Sequence, residues 1–289
     1  MIIIGFLALI IFTGTEIYAR TTDRPEITVS FVDLPDLSAW ENSVKSNTKL
    51  FLLENPSNPL GEIVDILRLS EISKKHGILL AVDNAILTPA LQTPLALGAD
   101  IVIHSATKYI DGQGRCLAGA VLGGEEIIEQ IASFTRTTGP ALSAFNAWIV
   151  LKGLDTLSLR MKAHSANAMR LAVWLDGQKS VKKVHYLGLK SHPFHQIAKS
   201  QQSDFGGIVA FEVADKIAAF KLINSVKILS ITANLGDTKS TITHPATTTH
   251  GRLTDAERAA ANINSGLIRV SVGLESIDDI IADIAQALV

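Results

Sequence analysis

The 289-residue chain has a single cysteine, Cys116, only three tyrosines and three tryptophans, and no excess of charge of either sign. One cysteine excludes an internal disulfide, and nothing near it supplies the Cys/His spacing of a zinc site. Cys116 is therefore expected as a small core residue in a reducing compartment, which places the protein in the cytoplasm. A formal net charge of −2 gives no electrostatic footprint for nucleic acid. Long apolar runs are scarce too. The run MIIIGFLALIIF at the start is shorter than the roughly 20 residues that span a bilayer. It has no basic leader, and TGTEIYAR is a poor cleavage site. A buried strand or helix of a larger fold is expected there, rather than a secretory signal or a membrane anchor. Internal repeats and low-complexity segments are absent from the sequence.

What is present is a chain that is 47% hydrophobic and 19% charged, long enough for one large domain and a smaller one. Strand and helix patterns alternate through the first half. A short β-rich run covers Ile27 to Val32, and Asp36 can cap a helix reaching about Val44. The strand KLFLLE, Lys49 to Glu54, leads into the turn-rich NPSNPLG. A helix is expected from about Asp65 to His76, with Ile66, Leu69 and Ile72 on one face and Gly77 as its stop. Ile78 to Val82 is an apolar strand ending at Asp83, and a short helix ending at Gly98 delivers the strand Ile101 to His104. Continuous apolar strands between amphipathic helices indicate an α/β fold with a mainly parallel sheet.

Beyond that strand the pattern changes. Leu117 to Leu122 reads as one more strand. Helical patterns follow from Glu125 to about Arg136 and from Ser143 to about Trp174, the second broken near Gly153. The long helical run suits an arm between domains: a large domain over 1–165 and a smaller α+β domain over 166–289. In the smaller domain, strands are expected at Gly207 to Val213, Lys227 to Thr232 and Leu267 to Val272, with a last amphipathic helix from Ser276 to Leu288.

In open α/β sheets, ligands gather at the carboxyl ends of the strands. Three such ends carry polar residues here: Asn58 after KLFLLE, Asp83 after ILLAV, and Ser105, Thr107 and Lys108 after IVIH. An acid for a pyridinium nitrogen, hydroxyls for a phosphate and a lysine for a carbonyl suit pyridoxal phosphate. Each residue taken singly has a plainer reading: a strand-end Asp as a turn or cap, Ser and Thr as helix caps, an isolated Lys as a solvated one. GDTKS echoes the end of a P-loop but lacks the paired glycine before its lysine. His192 and His195 lie close together and His244 and His250 flank TTT, but no cysteine or paired carboxylate accompanies them, so they are expected as solvated loop histidines rather than metal ligands.

The segment VDNAILTPALQTPLALGADIVIHSATKYIDGQGR resembles the cystathionine gamma-synthase-type family of fold-type I pyridoxal-phosphate enzymes of cysteine and methionine metabolism. ENPSNPLGEIVDI, the stretch from GPALSAFNAWIV to AVWL, LGDTKSTITHPATTTHGRLTDAERAAANI and GLIRVSVGLESIDDI resemble it as well, so the likeness runs from about Ile27 to the end. DGQGR after the lysine is most similar to the O-succinylhomoserine sulfhydrylase branch. The resemblance implies that Lys108 holds the cofactor covalently and shuttles protons, that Asp83 pairs with the ring nitrogen, and that Ser105 and Thr107 bind the phosphate. It implies that Asn58 lies near the ring's 3′ oxygen and the substrate. Arg269 would clamp the substrate α-carboxylate, and Ser240 would be a secondary contact to substrate or lysine. An Arg inside an apolar strand is costly without a designated anion, which favours the clamp over a surface ion pair.

The implied reaction is a γ-replacement: sulfide displaces succinate from O-succinyl-L-homoserine to give L-homocysteine, in a homo-oligomer with no nucleic-acid or membrane partner. Two other readings stand beside it. One is elimination or cystathionine formation on the same scaffold. The other is a truncated remnant, weakly active or inactive, with a structural or partner role. The family's N-terminal phosphate-binding loop and its Tyr/Arg pair for the neighbouring subunit are not identifiable here. Phe12 before TGT is a weak match to the expected stacking aromatic, and the N-terminal apolar run then reads as the interior of a truncated large domain.

Overall fold

The computed structural model describes residues 28–288. The N-terminal apolar run, Phe12 and Ile27 lie outside the described residues, and 28–32, the remainder of the first expected strand, takes no regular structure. The chain then forms two sheets. The first has the order β1-β2-β3-β4, built from β1 (Leu50–Glu54), β2 (Leu79–Asp83), β3 (Ile101–Ser105) and β4 (Gly119–Gly123). The strands β1, β2 and β3 are parallel, so Glu54, Asp83 and Ser105 end at one edge. β4 runs antiparallel to β3.

Local chemistry explains the elements between them. α1 (Leu37–Asn42) starts where Asp36 accepts from the amides of Ser38 and Ala39, the expected N-cap. α2 (Ile66–Lys75) is capped in the same way by Asp65 and stops at Gly77, whose φ of +65° suits glycine. Trp40 of α1 and Ile66 and Leu69 of α2 pack with Phe51, Leu80, Val82 and Val102 into one apolar cluster over the sheet. Ile72 stands at its margin. The short α3 (Thr88–Leu91) and a 3-10 turn at Pro94–Leu97 return the chain to β3. α4 (Glu125–Thr138) buries none of its residues.

The helix α5 (Ala144–Asp176) runs for 33 residues without a break at Gly153, contrary to the sequence reading. Gly153 serves close packing: a Cβ there would overlap the carbonyl oxygen of Ile110. The boundary expected at residue 165/166 falls inside this helix. Its Leu157 and Met161 pack with Tyr109 and Ile110, whereas Ala168, Leu171, Ala172 and Leu175 enter the core of the second sheet.

That sheet has the order β5-β6-β9-β8-β7. Its strands are β5 (Lys183–His185), β6 (Ile208–Glu212), β7 (Ser230–Ile231), β8 (Thr241–Thr243) and β9 (Leu267–Ser271). Only two residues of the expected strand Lys227 to Thr232 are paired. The amides of Lys227, Ile228 and Leu229 go instead to Asp283, on the last helix. α6 (His195–Gln201), α7 (Lys216–Ser225) and α8 (Asp255–Ala260) precede the last helix, α9 (Ile277–Ala287). Ala219, Leu222 and Ile223 of α7 and Ile277, Ile280 and Ile284 of α9 fill the core under the sheet.

Three of the four histidines expected in solvated loops are not solvated. His192, His195 and His244 are buried, because their ring nitrogens serve the backbone and nearby hydroxyls, while His250 is half-buried. His195 Nδ1 bonds the Leu187 carbonyl at 2.7 Å, and His244 bonds Thr247 Oγ1 and the Ser265 carbonyl, each at 2.9 Å. Among the described residues no three His, Cys, Asp or Glu side chains are grouped to hold a metal ion, and no helix is long and apolar enough to cross a membrane.

Candidate active site

β3 ends at Ser105 and the chain enters a turn of π-helix, Ala106–Ile110, in which Lys108 departs from helical dihedrals. The turn lies wholly inside the protein, and the Lys108 side chain is 6% exposed. Its Nζ donates to Asn234 Oδ1 at 2.6 Å. Burial is the main reason its pKa falls to about 8, with the nearby positive charge of Arg269 second. A lysine poised there has a substantial neutral fraction close to physiological pH, which a carbonyl-trapping or proton-moving amine needs.

Arg269 comes from β9 of the other sheet and is 1% exposed. Among the described residues it makes no ion pair with a carboxylate, although the charge of Glu54 acts on it. Nη2 donates to the carbonyls of Ala233 and Asn234, and Nη1 donates to Asn58 Oδ1 at 3.2 Å. Nε is buried without a partner. Asn234 therefore joins the two cations, its side chain receiving Lys108 and its backbone receiving Arg269. Burial lowers the Arg269 pKa to about 10, so the guanidinium stays charged at neutral pH. A buried cation with an unused donor suits a carboxylate brought in by a ligand.

Asp83 ends β2, paired in register with Glu54 on β1 and Ile103 on β3. It is buried, and Oδ1 accepts from the Ala85 amide at 2.9 Å. Desolvation pushes its carboxyl up to about 6, so it is largely ionised at neutral pH and is suited to a cationic N–H partner. Ser105 Oγ is buried with no partner, a free hydroxyl at the end of a parallel strand. Thr107 differs: its hydroxyl exchanges hydrogen bonds with the Ala118 backbone, donating to the carbonyl at 3.2 Å and accepting from the amide at 3.0 Å.

The structure thus brings Lys108, Arg269 and Asn58 into one connected group, with Ser105 and Asp83 on adjoining strand ends. Ser240 is outside that group. Its hydroxyl donates to Glu275 Oε2 and accepts from the Gly273 amide, so its hydrogen is committed to that carboxylate. The sequence reading missed Asn234, the residue that does meet Lys108. It lies six positions before Ser240, in the same ANLGDTKS stretch, and a polar residue directly before the Leu235-Gly236 turn was the available signal. Gly236 (φ +81°) is required there, since a Cβ would lie 2.6 Å from the Tyr109 amide and 3.0 Å from Lys108 Cβ.

A profile of the Cys/Met metabolism PLP-dependent enzymes matches residues 8–289. The chain belongs to that family. It is 57% identical over 274 residues, 94% of its length and 68% of the relative's, to the O-succinylhomoserine sulfhydrylase of Pseudomonas aeruginosa. It is 43% identical to the L-methionine gamma-lyase of Fusobacterium nucleatum subsp. polymorphum, over 91% of this chain and 67% of that one. Among solved structures, cystathionine gamma synthase from Xanthomonas oryzae pv. oryzae, in complex with aminoacrylate and cysteine, superposes with a TM-score of 0.92 at 36% identity, covering 95% of this chain and 71% of that one. The chain spans about two thirds of the length of the curated relatives it matches, 65% for the sulfhydrylase of Mycobacterium tuberculosis. The fold is that of the fold-type I pyridoxal-phosphate enzymes. The residues present fit that cofactor: a poised buried lysine, an orphaned hydroxyl at a strand end and a desolvated carboxylate are the donor and acceptor set it needs.

Proposed function

We propose that the chain catalyses γ-replacement on O-succinyl-L-homoserine, sulfide displacing succinate to give L-homocysteine. The observation that carries this reading is the linked pair Lys108 and Arg269 across Asn234: an amine poised near pH 8 beside a buried guanidinium with a donor to spare. The identity to the Pseudomonas sulfhydrylase supports the substrate. Pyridoxal phosphate, when bound, supplies an electron sink for the negative charge left as protons leave the substrate. Lys108 holds the cofactor through Nζ and, when free, moves protons at the substrate Cα and Cβ. Asp83 accepts the ring N–H, Ser105 donates its unused hydroxyl to the phosphate, and Thr107 lines the same end through its backbone brace to Ala118. Arg269 takes the α-carboxylate, with Asn58 orienting the guanidinium from the opposite side.

The reading includes a large domain over 1–165, a smaller domain over 166–289, a cytoplasmic location and a homo-oligomer. Exposed Phe145, Trp148 and Leu151 at the start of α5 support the last of these. Elimination is the second reading, favoured by the identity to L-methionine gamma-lyase.

The test is to purify the chain with pyridoxal phosphate, record its visible absorbance and assay succinate release. A band that disappears in Lys108→Ala, with succinate released in step with sulfide consumed, is the expected result. No band in the wild-type chain would overturn the enzyme reading. Release of ammonia and a keto acid without added nucleophile would move the assignment to elimination, and preference for cysteine over sulfide would move it to cystathionine formation.

A further inference from the structure

The turn that carries Lys108 is held from two sides. On one side stand Asn234 and Gly236. The other side is Arg160 of α5, a buried arginine for which the proposed reaction has no use. Its side chain is 8% exposed. Nη1 donates to the Tyr109 carbonyl at 2.6 Å, Nη2 to the carbonyls of Ile110 at 3.0 Å and Gly153 at 2.8 Å, and Nε to Thr156 Oγ1 at 3.1 Å. Four of the five guanidinium N–H donors are thus spent on neutral acceptors, and two of those are the carbonyls directly after Lys108. The cation makes no direct ion pair with Asp111, whose charge favours it from nearby but whose carboxylate is occupied by the amide and Nε of Arg115.

Two glycines are shaped around this contact. Gly112 has a φ of +72°, and a Cβ on it would overlap Arg160 Nη1. Gly153 lets α5 approach Ile110 closely enough for the guanidinium to reach across. Burying a guanidinium without a directly bonded counter-anion is expensive unless its donors are filled, and a helix–turn contact needing only apolar packing could be made by Leu or Met. The rigid planar fork does what they cannot: it fixes two successive carbonyl directions, and with them the backbone from which the Lys108 side chain departs.

We propose that Arg160 is a positioning residue for Lys108, clamping the carbonyls of Tyr109 and Ile110 so that Nζ stands at Asn234 and at the cofactor carbonyl. This rests on Lys108 being the cofactor lysine. With the clamp gone, the turn relaxes and Nζ loses its fixed place between Asn234 and Arg269. A displacement of about 1 Å at a reacting amine lowers turnover by as much as about 100-fold.

The test compares wild type, Arg160→Gln and Arg160→Lys. In the cofactor-free protein, the rate at which an amine-reactive acylating reagent labels Lys108 is measured against pH, with the labelled peptide identified by mass. In the loaded protein, the pH midpoint of the visible absorbance and the kcat and KM for O-succinyl-L-homoserine are measured. The expected result is a Lys108 labelling midpoint that moves upward from wild type in Arg160→Gln. With it, kcat falls about 10- to 100-fold while KM stays within about twofold, because Arg269 is untouched. Arg160→Lys keeps the charge but not the fork, and is expected to fall between the two. Unchanged labelling and absorbance midpoints with only a lower melting temperature would overturn the proposal, leaving Arg160 a packing residue. If Arg160→Gln does not fold, Arg160→Lys decides by the same readouts. The labelling arm needs no cofactor, so a wild-type chain that forms no absorbance band defeats the proposed function while the clamp is still judged.

Discussion

Lys108 illustrates how a reactive residue is made at the expense of stability. The folded lysine loses its proton near pH 8, against about 10.5 for the ordinary side chain. Between those values the unfolded chain binds more protons than the folded one, so stability rises with pH across that window. Below pH 8 the buried ammonium is a net burden on the fold. Lys108→Met, which keeps the length and removes the charge, is therefore expected to stabilise the cofactor-free chain at pH 7 by about 1–3 kcal/mol. The gain shrinks as the pH approaches 10.5 and vanishes above about pH 11, where lysine is neutral in both states. Urea melts at pH 7 and pH 10.5 check this, and a gain of equal size at both would count against the burial argument.

At the level of elements, two helices do work that their sequences state ambiguously. Glycine inside a helix lowers helix propensity by about 1 kcal/mol relative to alanine, which is why Gly153 reads as a break. In α5 it is the contact point with the lysine turn, and the helix passes through unbroken. Gly153→Ala is expected to lower stability by about 1–3 kcal/mol despite the gain in propensity, because the added methyl displaces Ile110. The same change is expected to weaken cofactor retention, measured by dialysis and residual absorbance. On α9, Asp283 is buried and accepts from the amides of Lys227 at 2.8 Å, Ile228 at 2.7 Å and Leu229 at 3.2 Å. It closes the chain end onto the strand lead that would otherwise have unfilled donors. Asp283→Ala is expected to cost on the order of 3 kcal/mol, read as a lower denaturation midpoint with an unchanged m-value.

Across the whole molecule, the candidate site is a junction. Asp83, Ser105 and Lys108 come from the edge of the first sheet, Arg269 and Asn234 from the second, and α5 packs on both. A ligand that touches both groups of residues ties the sheets together, so binding is coupled to global stability. Pyridoxal phosphate at about 100 times its dissociation constant adds about 2.7 kcal/mol, a rise in melting temperature of roughly 4–5 °C for a chain of this size. Differential scanning fluorimetry against cofactor concentration measures it. Lys108→Ala, which removes the covalent hold but leaves Asp83 and Ser105, is expected to show a smaller rise.

Legible in the sequence are the order of most elements, the N-cap at Asp36, the start of a helix near Asp65, the parallel strands β1 to β3 and the strand-end residues Asn58, Asp83, Ser105 and Lys108. Those features are local: periodicity, capping chemistry and position along a strand are written in neighbouring residues. Arg269 came from the family resemblance, and a charge in an apolar strand that calls for an anion supported that role over a surface ion pair. Packing between distant parts of the chain sets the rest: Asn234 rather than Ser240 meets Lys108, Arg160 reaches the lysine turn from 50 residues away, Gly153 is a contact and not a break, and His192, His195 and His244 are buried. Each of these depends on which distant backbone stands opposite a side chain. A residue's own neighbours carry no record of that, because the partner is brought there by the packing of two sheets against one long helix.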